Sequence, residues 1–409
     1  MSKNDQPTIN RRQLLAAAGG VAIIQTASGE QIQVADPAIP ADPTKVPGSP
    51  ATPVGTRSPF EQTQRRVFGG AISTTPLQDL HGSITPAGLH FERHHAGLPT
   101  IDPQNYELLI HGMVDRPMKF SLAELKRFPA TTRICFIECS GNLPIWANAK
   151  TTPQSLAGLT SQSEWTGVKL ATLFRETGIH PKASWFLAEG SDAAVMTRSI
   201  PVEKALDDAI IAYAQNGEAV RPAQGYPVRL LLPGWEGNTS VKWLRRMELS
   251  DRPFQTREET SKYSDPLKDG VVRQFSFVMD ARSIITFPAY PVVLEPGWIE
   301  IRGLAWTGRG HITSVDISTD SGNSWQQAEL QAPVLPKAHT RFRYLWKWDG
   351  SPTRIMSRAL DETGYSQPTR AQLETARGAP QGPFAYHYNP ITGWQIESDG
   401  TVLLAPGPG

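Results

Sequence analysis

The chain has 409 residues, and its Lys and Arg (40) almost balance its Asp and Glu (39), for a net charge of +1. That balance excludes the basic stripe with interleaved aromatics expected of a nucleic-acid binder, so no nucleic-acid partner is expected. The length allows two or three domains, each with a sizeable core.

At the N-terminus, "NRRQLLAAAGGVAIIQTASGE" sets Arg11 and Arg12 directly before the apolar, small-residue run Leu14–Ile24. This is the pattern of a twin-arginine export signal, assigned to 1–30. A plain N-terminal helix with two chance arginines is the alternative. The run is far shorter than the roughly twenty residues a spanning helix needs, so no membrane span is expected. The twin-arginine route carries proteins already folded, often around a cofactor, so the signal predicts a periplasmic protein with a bound cofactor. Residues 31–59 are rich in Pro, Ala and Thr without apolar period, the composition of a leader or linker that buries no core.

From 60 to 255 both periodicities alternate. "YELLIHGMV", "TRICFIEC" and "YPVRLLLPG" predict strands, and "SLAELKRF", "KLATLFRETG" and "PVEKALDDA" predict short helices. The fold class is α+β, and the span suits one domain. The polar stretch "REETSKYSDPLKDG" then reads as a linker. From 272 to 396 the segments "SIITFP", "WIEIRGLAWTG", "ITSVDISTD", "WQQAEL" and "RFRYLWKWDG" are short and alternating, with Ser321-Gly322-Asn323 as a turn. That spacing predicts an immunoglobulin-like all-β sandwich, its core resting on Trp306, Trp325 and Trp346.

The only cysteines, Cys135 and Cys139, lie in "TTRICFIECSGN". Four residues of strand cover about 13 Å, whereas a disulfide tolerates about 7 Å between α-carbons. A bridge therefore requires the segment to be helical. No further Cys or His stands at zinc spacing. Two readings remain, a pair of buried thiols packing as small apolar residues or one thiolate acting as a metal ligand at the strand end. Cys139 suits the second, because "CSGN" supplies a turn whose amides can face an anion. Cys135 shares its face but lies deeper, and reads as structural. One soft thiolate can complete the coordination of a metal already held by an organic dithiolene.

Four motifs together, "FERHHAGLP", "CFIECSGN", "GYPVRLLLPGWEGNTSVKWLRR" and "GLAWTGRGHITSVDISTDSGNSW", resemble the sulfite oxidase family of molybdopterin enzymes over nearly all of the chain after the leader. The resemblance implies a sulfite-oxidase-type molybdopterin-binding domain, the cofactors molybdenum and molybdopterin, and Cys139 as the metal ligand. It implies that Arg93 and His95 contact cofactor or substrate; in an extended segment they share a face, with His94 pointing away. It implies that Arg229, Ser240 and Lys242 hold the pterin phosphate, for which cations and a hydroxyl are suited. Asp192 is implied to bind the pterin ring system, whose N–H donors a carboxylate accepts. Taken alone, "SVKW" is an ordinary half-buried strand. The family's sandwich domain makes homodimer contacts and commonly lends the substrate pocket an arginine, here Arg341 or its neighbour Arg343.

The chain departs from sulfite oxidases proper at three places. Leu143 and Pro144 replace two arginines after the cysteine turn, Met196 replaces a tyrosine in Y-G-x-S-I-P, and Gln224 replaces a histidine. These changes predict a larger, less cationic entrance without its phenol donor, and are similar to the sulfane dehydrogenase subfamily of thiosulfate oxidation. The implied activity is oxidation of a sulfane sulfur on a cysteine of a sulfur-carrier protein. Electrons would pass to a separate c-type cytochrome, since no C-x-x-C-H motif is present. A sulfite dehydrogenase with the same cofactor is the alternative, and a scaffold that lost catalysis is a third, opposed by the retained Cys139.

Overall fold

The structure is a computed structural model, and it describes residues 22–25, 31–34, 48–143, 147–378 and 386–405. Two compact units arise, Met1–Glu61 and Gln62–Gly409. In the first, strand Ala22–Gln25 pairs antiparallel with Gln31–Val34. Arg11 and Arg12, on which the export reading rests, lie outside the described residues, as does Pro144. Among the described residues no helix is long and apolar enough to cross a membrane.

The second unit begins with a mixed domain. "TRICFIEC" becomes strand Ala130–Glu138, as its β-branched run predicts. It pairs antiparallel with Thr160–Lys169, which pairs in turn with Ile210–Gln215. A second sheet runs in the order Thr197–Pro201, Trp185–Gly190, Leu244–Ser250, Glu107–Gly112, Met118–Ser121. The helices are short and clearly bounded. Ser121 and Glu124 form a capping box at the start of Leu122–Leu125, and Gly178, in the left-handed region, ends Leu170–Thr177. Leu170, Leu173 and Phe174 of that helix pack with Leu108, Phe186 and Met247 of the second sheet into one apolar core. That core fixes the strand ends from which the site is built.

The C-terminal part forms two antiparallel sheets. One has the order Arg282–Phe287, Gly297–Trp306, Thr340–Trp348, Glu329–Gln331; the other comprises Gln326–Gln327, Ile312–Ser318, Thr353–Asp361, Gly393–Ile396 and Val402–Ala405. Along Thr340–Trp348, Phe342 and Trp348 are buried while Arg343, Leu345 and Lys347 are exposed, the alternation expected of a strand with one face on a core. Trp306 is buried as predicted, but its large partners are Trp348 and Trp394. Trp325 and Trp346 are only half-buried, Trp325 lying under the Arg358 guanidinium.

The two parts share a junction. Phe136, Leu77 and Leu156 belong to the same apolar cluster as Ile284, Leu304 and Trp306. At Gly234 and Gly308 the two backbones meet so closely that a Cβ on Gly308 would stand 1.9 Å from the Gly234 oxygen. Only glycine permits that approach.

Candidate active site

Cys139 follows directly on strand Ala130–Glu138, and neither cysteine is in a disulfide. Its turn is closed by Asn142 N–H donating to the Cys139 oxygen at 2.9 Å. Asn142 then clamps the turn to its surroundings. Its amide nitrogen donates to Glu138 Oε1 (2.9 Å) and to the Ala157 oxygen (2.9 Å), and its side-chain oxygen accepts from Leu159 N–H (3.0 Å). Cys135 and Ile137, on the same strand face, pack beneath Cys139 in a small apolar cluster with Phe91 and Trp165. Burial pushes the Cys135 thiol up to about 12, which suits packing rather than chemistry. Burial also raises the Cys139 thiol, opposed by the Gly141 N–H and by Arg93. Coordination to a metal removes that proton outright.

Two cavities meet at Cys139. The inner one, about 70 Å³, is lined by Arg93, His95, Asp192, Met196, Gln224, Arg229, Ser240 and Lys242 among others. The structure thus brings together every sequence-predicted residue of the mixed domain. The outer one, about 820 Å³, opens from Cys139, Arg93, His95 and Tyr263 towards Arg66, Lys150 and Lys262. Among the residues lining it there is no carboxylate. The two arginines missing from the cysteine turn do not leave the entrance without cations, since Arg66, Lys150 and Lys262 line it.

At the inner end, Arg229 is buried, and its bonds run to backbone carbonyls of Ser240 (2.8 Å) and Gln224 (3.0 Å), with the Trp165 ring 5.0 Å from its guanidinium carbon. Lys242 Nζ donates to the carbonyls of Ala223 (3.0 Å) and Arg93 (3.1 Å). Neither cation has a carboxylate partner in these contacts. Burial lowers Arg229 to about 9, while burial and then the Arg229 charge lower Lys242 to about 7. Ser240 Oγ accepts from Leu232 N–H at 3.0 Å, which leaves its own proton for a ligand. Buried positive charge that no carboxylate pairs directly fits an anionic group such as a phosphate. "SVKW" is thus no ordinary strand, since Trp243 takes a positive φ of 51° and the segment lies outside the sheets.

Binding such an anion restores the Lys242 charge, so affinity is predicted to fall as pH rises through about 7. Calorimetric titration of the apoprotein with inorganic phosphate should show roughly a hundredfold weakening from pH 7 to pH 9. Lys242→Met should flatten that slope.

Three expectations change. The strand Glu92–Arg93 ends before the histidines, so residue alternation stops and His94 lines the inner cavity beside His95. Arg341 is not among the residues lining either cavity, because its guanidinium donates to the carbonyls of Leu80 (2.8 Å) and Gly82. Arg343 is exposed and pairs with Glu329 (2.6 Å). Finally, Met196 does stand in the inner cavity, yet a phenol is present there too. Tyr263 lines both cavities, with its hydroxyl 3.3 Å from His95 Nε2. Burial, then the Cys139 charge, raises the Tyr263 hydroxyl far above its ordinary range, so it keeps its proton. Its only sequence signal was a lone aromatic in a polar stretch. His90 was also missed. Its Nδ1 bonds the Phe91 oxygen (3.0 Å), and its buried Nε2 faces the inner cavity residues without a partner.

Among the described residues no three His, Cys, Asp or Glu side chains gather to hold a metal ion. A metal at Cys139 must bring most of its ligands with it, which is the coordination a dithiolene provides. With a cation-and-hydroxyl cradle at one end and a single thiolate at the other, the residues fit a molybdopterin cofactor.

Comparison with known proteins agrees. Residues 95–258 match the oxidoreductase molybdopterin binding domain, and residues 273–387 match the Mo-co oxidoreductase dimerisation domain. The sulfane dehydrogenase SoxCD from Paracoccus pantotrophus is 41% identical, with a TM-score of 0.84 over 91% of this chain and 99% of that one. Mitochondrial sulfite oxidase of Drosophila melanogaster is 30% identical over 64% of this chain and 50% of its own length. NADH nitrate reductase of Solanum lycopersicum is 30% identical over 73% of this chain and 38% of its own. The chain spans half or less of the length of these two curated relatives. The chain belongs to the sulfite oxidase family of molybdopterin-dependent oxidoreductases, and within it resembles the sulfane dehydrogenase.

Proposed function

We propose that this protein oxidises a sulfane sulfur carried on a cysteine of a partner protein and passes the electrons to a c-type cytochrome. The observation that carries the reading is the outer cavity. At about 820 Å³ it is wide enough for a peptide arm, reaches Cys139, and is lined by cations without a carboxylate, which favours an anionic sulfur group. The similarity to a protein described as a sulfane dehydrogenase supports the same substrate class. The cationic lining also suits free sulfite, so a sulfite dehydrogenase is the second reading.

Bound molybdenum cofactor supplies the two-electron redox change and the transfer of oxygen from water to sulfur. Arg229, Lys242 and Ser240 would hold its phosphate, Asp192 would accept from its ring N–H groups, and Cys139 would bind the metal. Arg93 lies where both cavities meet and stabilises negative charge growing on the sulfur oxygens. The Tyr263 O–H, kept protonated by burial, donates to the same oxygens, with His95 orienting it.

We further read the C-terminal sheets as an immunoglobulin-type sandwich that pairs two copies of the chain, and residues 1–30 as a twin-arginine signal to the periplasm. Mixing molybdenum-loaded protein with a c-type cytochrome tests the substrate. Haem reduction should be fast with a carrier protein bearing a cysteine persulfide and slow with free sulfite. Fast reduction by sulfite alone would assign the second reading.

A further inference from the structure

Beneath Tyr263 lies a buried charge cluster that the cofactor reading does not use. Arg198, on strand Thr197–Pro201, is completely buried. Its Nη2 donates to Glu236 Oε1 at 2.9 Å and its Nε to Glu259 Oε1 at 3.0 Å. Its Nη1 has no hydrogen-bond acceptor, and the ring faces of Tyr263 and Phe277 lie 5.0 and 5.8 Å from the guanidinium carbon. Each carboxylate has a second anchor: Glu259 Oε1 accepts from Ser199 N–H (2.6 Å), and Glu236 Oε2 accepts from Asn238 Nδ2 (3.0 Å). The same Asn238 Nδ2 lies 3.0 Å from Ser140 Oγ, the residue after Cys139. His387, 3.6 Å from Glu236, in turn donates its backbone N–H to the Ser140 oxygen (3.0 Å).

An arginine is costly to bury without a return in geometry. Here its planar fork is locked by two carboxylates, so its face has one orientation, and an aromatic ring resting on it is held in register by cation–π attraction. We propose that Arg198 is a positioning residue, whose guanidinium, fixed by Glu236 and Glu259, seats the Tyr263 ring so that its hydroxyl stands at the junction of the two cavities beside Cys139 and His95. Glu236 keeps Asn238 and His387 as partners of its own, so the contact of Asn238 with Ser140 does not depend on Arg198. Arg198 reaches the reaction only through Tyr263.

The proposal rests on the reading that this cavity oxidises sulfur, and the test separates the two. Arg198→Gln is paired with Glu259→Gln so that Glu259 is not stranded, Glu236 keeping Asn238 and His387 as partners, and Arg198→Lys keeps the charge without the fork. Tyr263→Phe is expected to lower kcat about a hundredfold, and R198Q/E259Q about tenfold or more, as partners of active groups do. In the triple variant the loss should equal that of Tyr263→Phe alone, because the cluster acts through that hydroxyl. R198K should stay close to R198Q/E259Q. A triple variant in which the two losses multiply would overturn the proposal. Independently of turnover, 3-fluorotyrosine at position 263 should give one narrow NMR resonance in the otherwise native protein and a shifted or broadened one in R198Q/E259Q. An unchanged resonance would also overturn it. Should neither persulfide carrier nor sulfite reduce the native enzyme, the functional reading fails while the resonance still decides the role of Arg198.

Discussion

Cys139→Ser abolishes turnover while leaving the fold intact. The turn that carries the thiol is held by the Asn142 side chain and by backbone bonds from Cys139 N–H to Leu159 (2.9 Å), none of which uses the sulfur. A hydroxyl occupies nearly the same volume, so the Phe91, Ile137 and Trp165 packing beneath should be kept. What is lost is the one soft ligand the chain offers at the junction of the cavities. Partners one shell further out typically cost 10–100-fold, so removing the ligand itself should cost more than about 100-fold, with thermal unfolding nearly unchanged. The comparable change at Cys135 should behave in the opposite way, reducing stability by placing a hydroxyl in an apolar cluster while the metal-binding thiolate remains.

Arg282→Met is the second large expectation, and it acts on stability. Glu138 is 1% exposed and Arg282 5%. They are joined at 3.0 Å, and the same arginine donates to the Asn142 oxygen at 2.6 Å. Trp306 Nε1 donates to the other oxygen of Glu138 at 2.6 Å. The arginine and the tryptophan come from the C-terminal sheet, so the carboxylate preceding Cys139 is where that sheet grips the cysteine turn. Removing one partner strands a buried charge and should cost about 3–5 kcal/mol, read as a lower urea midpoint. Turnover should fall as well, since the Asn142 carbonyl loses its Arg282 donor. Glu138→Gln keeps the shape but leaves Arg282 charged without its counter-ion and turns an N–H2 toward a donor, so it should lose about as much on both measures. A Glu138→Gln variant as stable as the native protein would contradict a charge-based grip.

How much of this was legible in sequence depended on the range of the interaction. Strand Ala130–Glu138 and its one-faced cysteines followed from β-branched residues and period two, which are local. The alternation of Thr340–Trp348 was equally local, though which tryptophans reach the core was not. Trp348 and Trp394 are buried because of where the second sheet closes over the first. The cofactor cradle of Arg229, Ser240 and Lys242 was legible only as a set of motifs, because its positive charge becomes unusual once all three face one cavity. Tyr263 was not legible, since its stretch has no apolar period and its neighbour His95 is 168 residues away. Arg198, Glu138 and Arg282 escaped for the same reason, as each is an ordinary charged residue until its distant partner arrives. Arg341 was misplaced because the resemblance implies an arginine from the sandwich domain but does not say which loop will lie against it, and the carbonyls of Leu80 and Gly82 take its donors.

X-ray absorption at the molybdenum edge tests the central claim most directly, with the loaded protein compared in its native form and as Cys139→Ser. The account predicts one fewer sulfur neighbour at the metal in the variant, with Cys135 untouched. An unchanged number of sulfur neighbours would show that Cys139 does not bind the metal and would contradict the site described above.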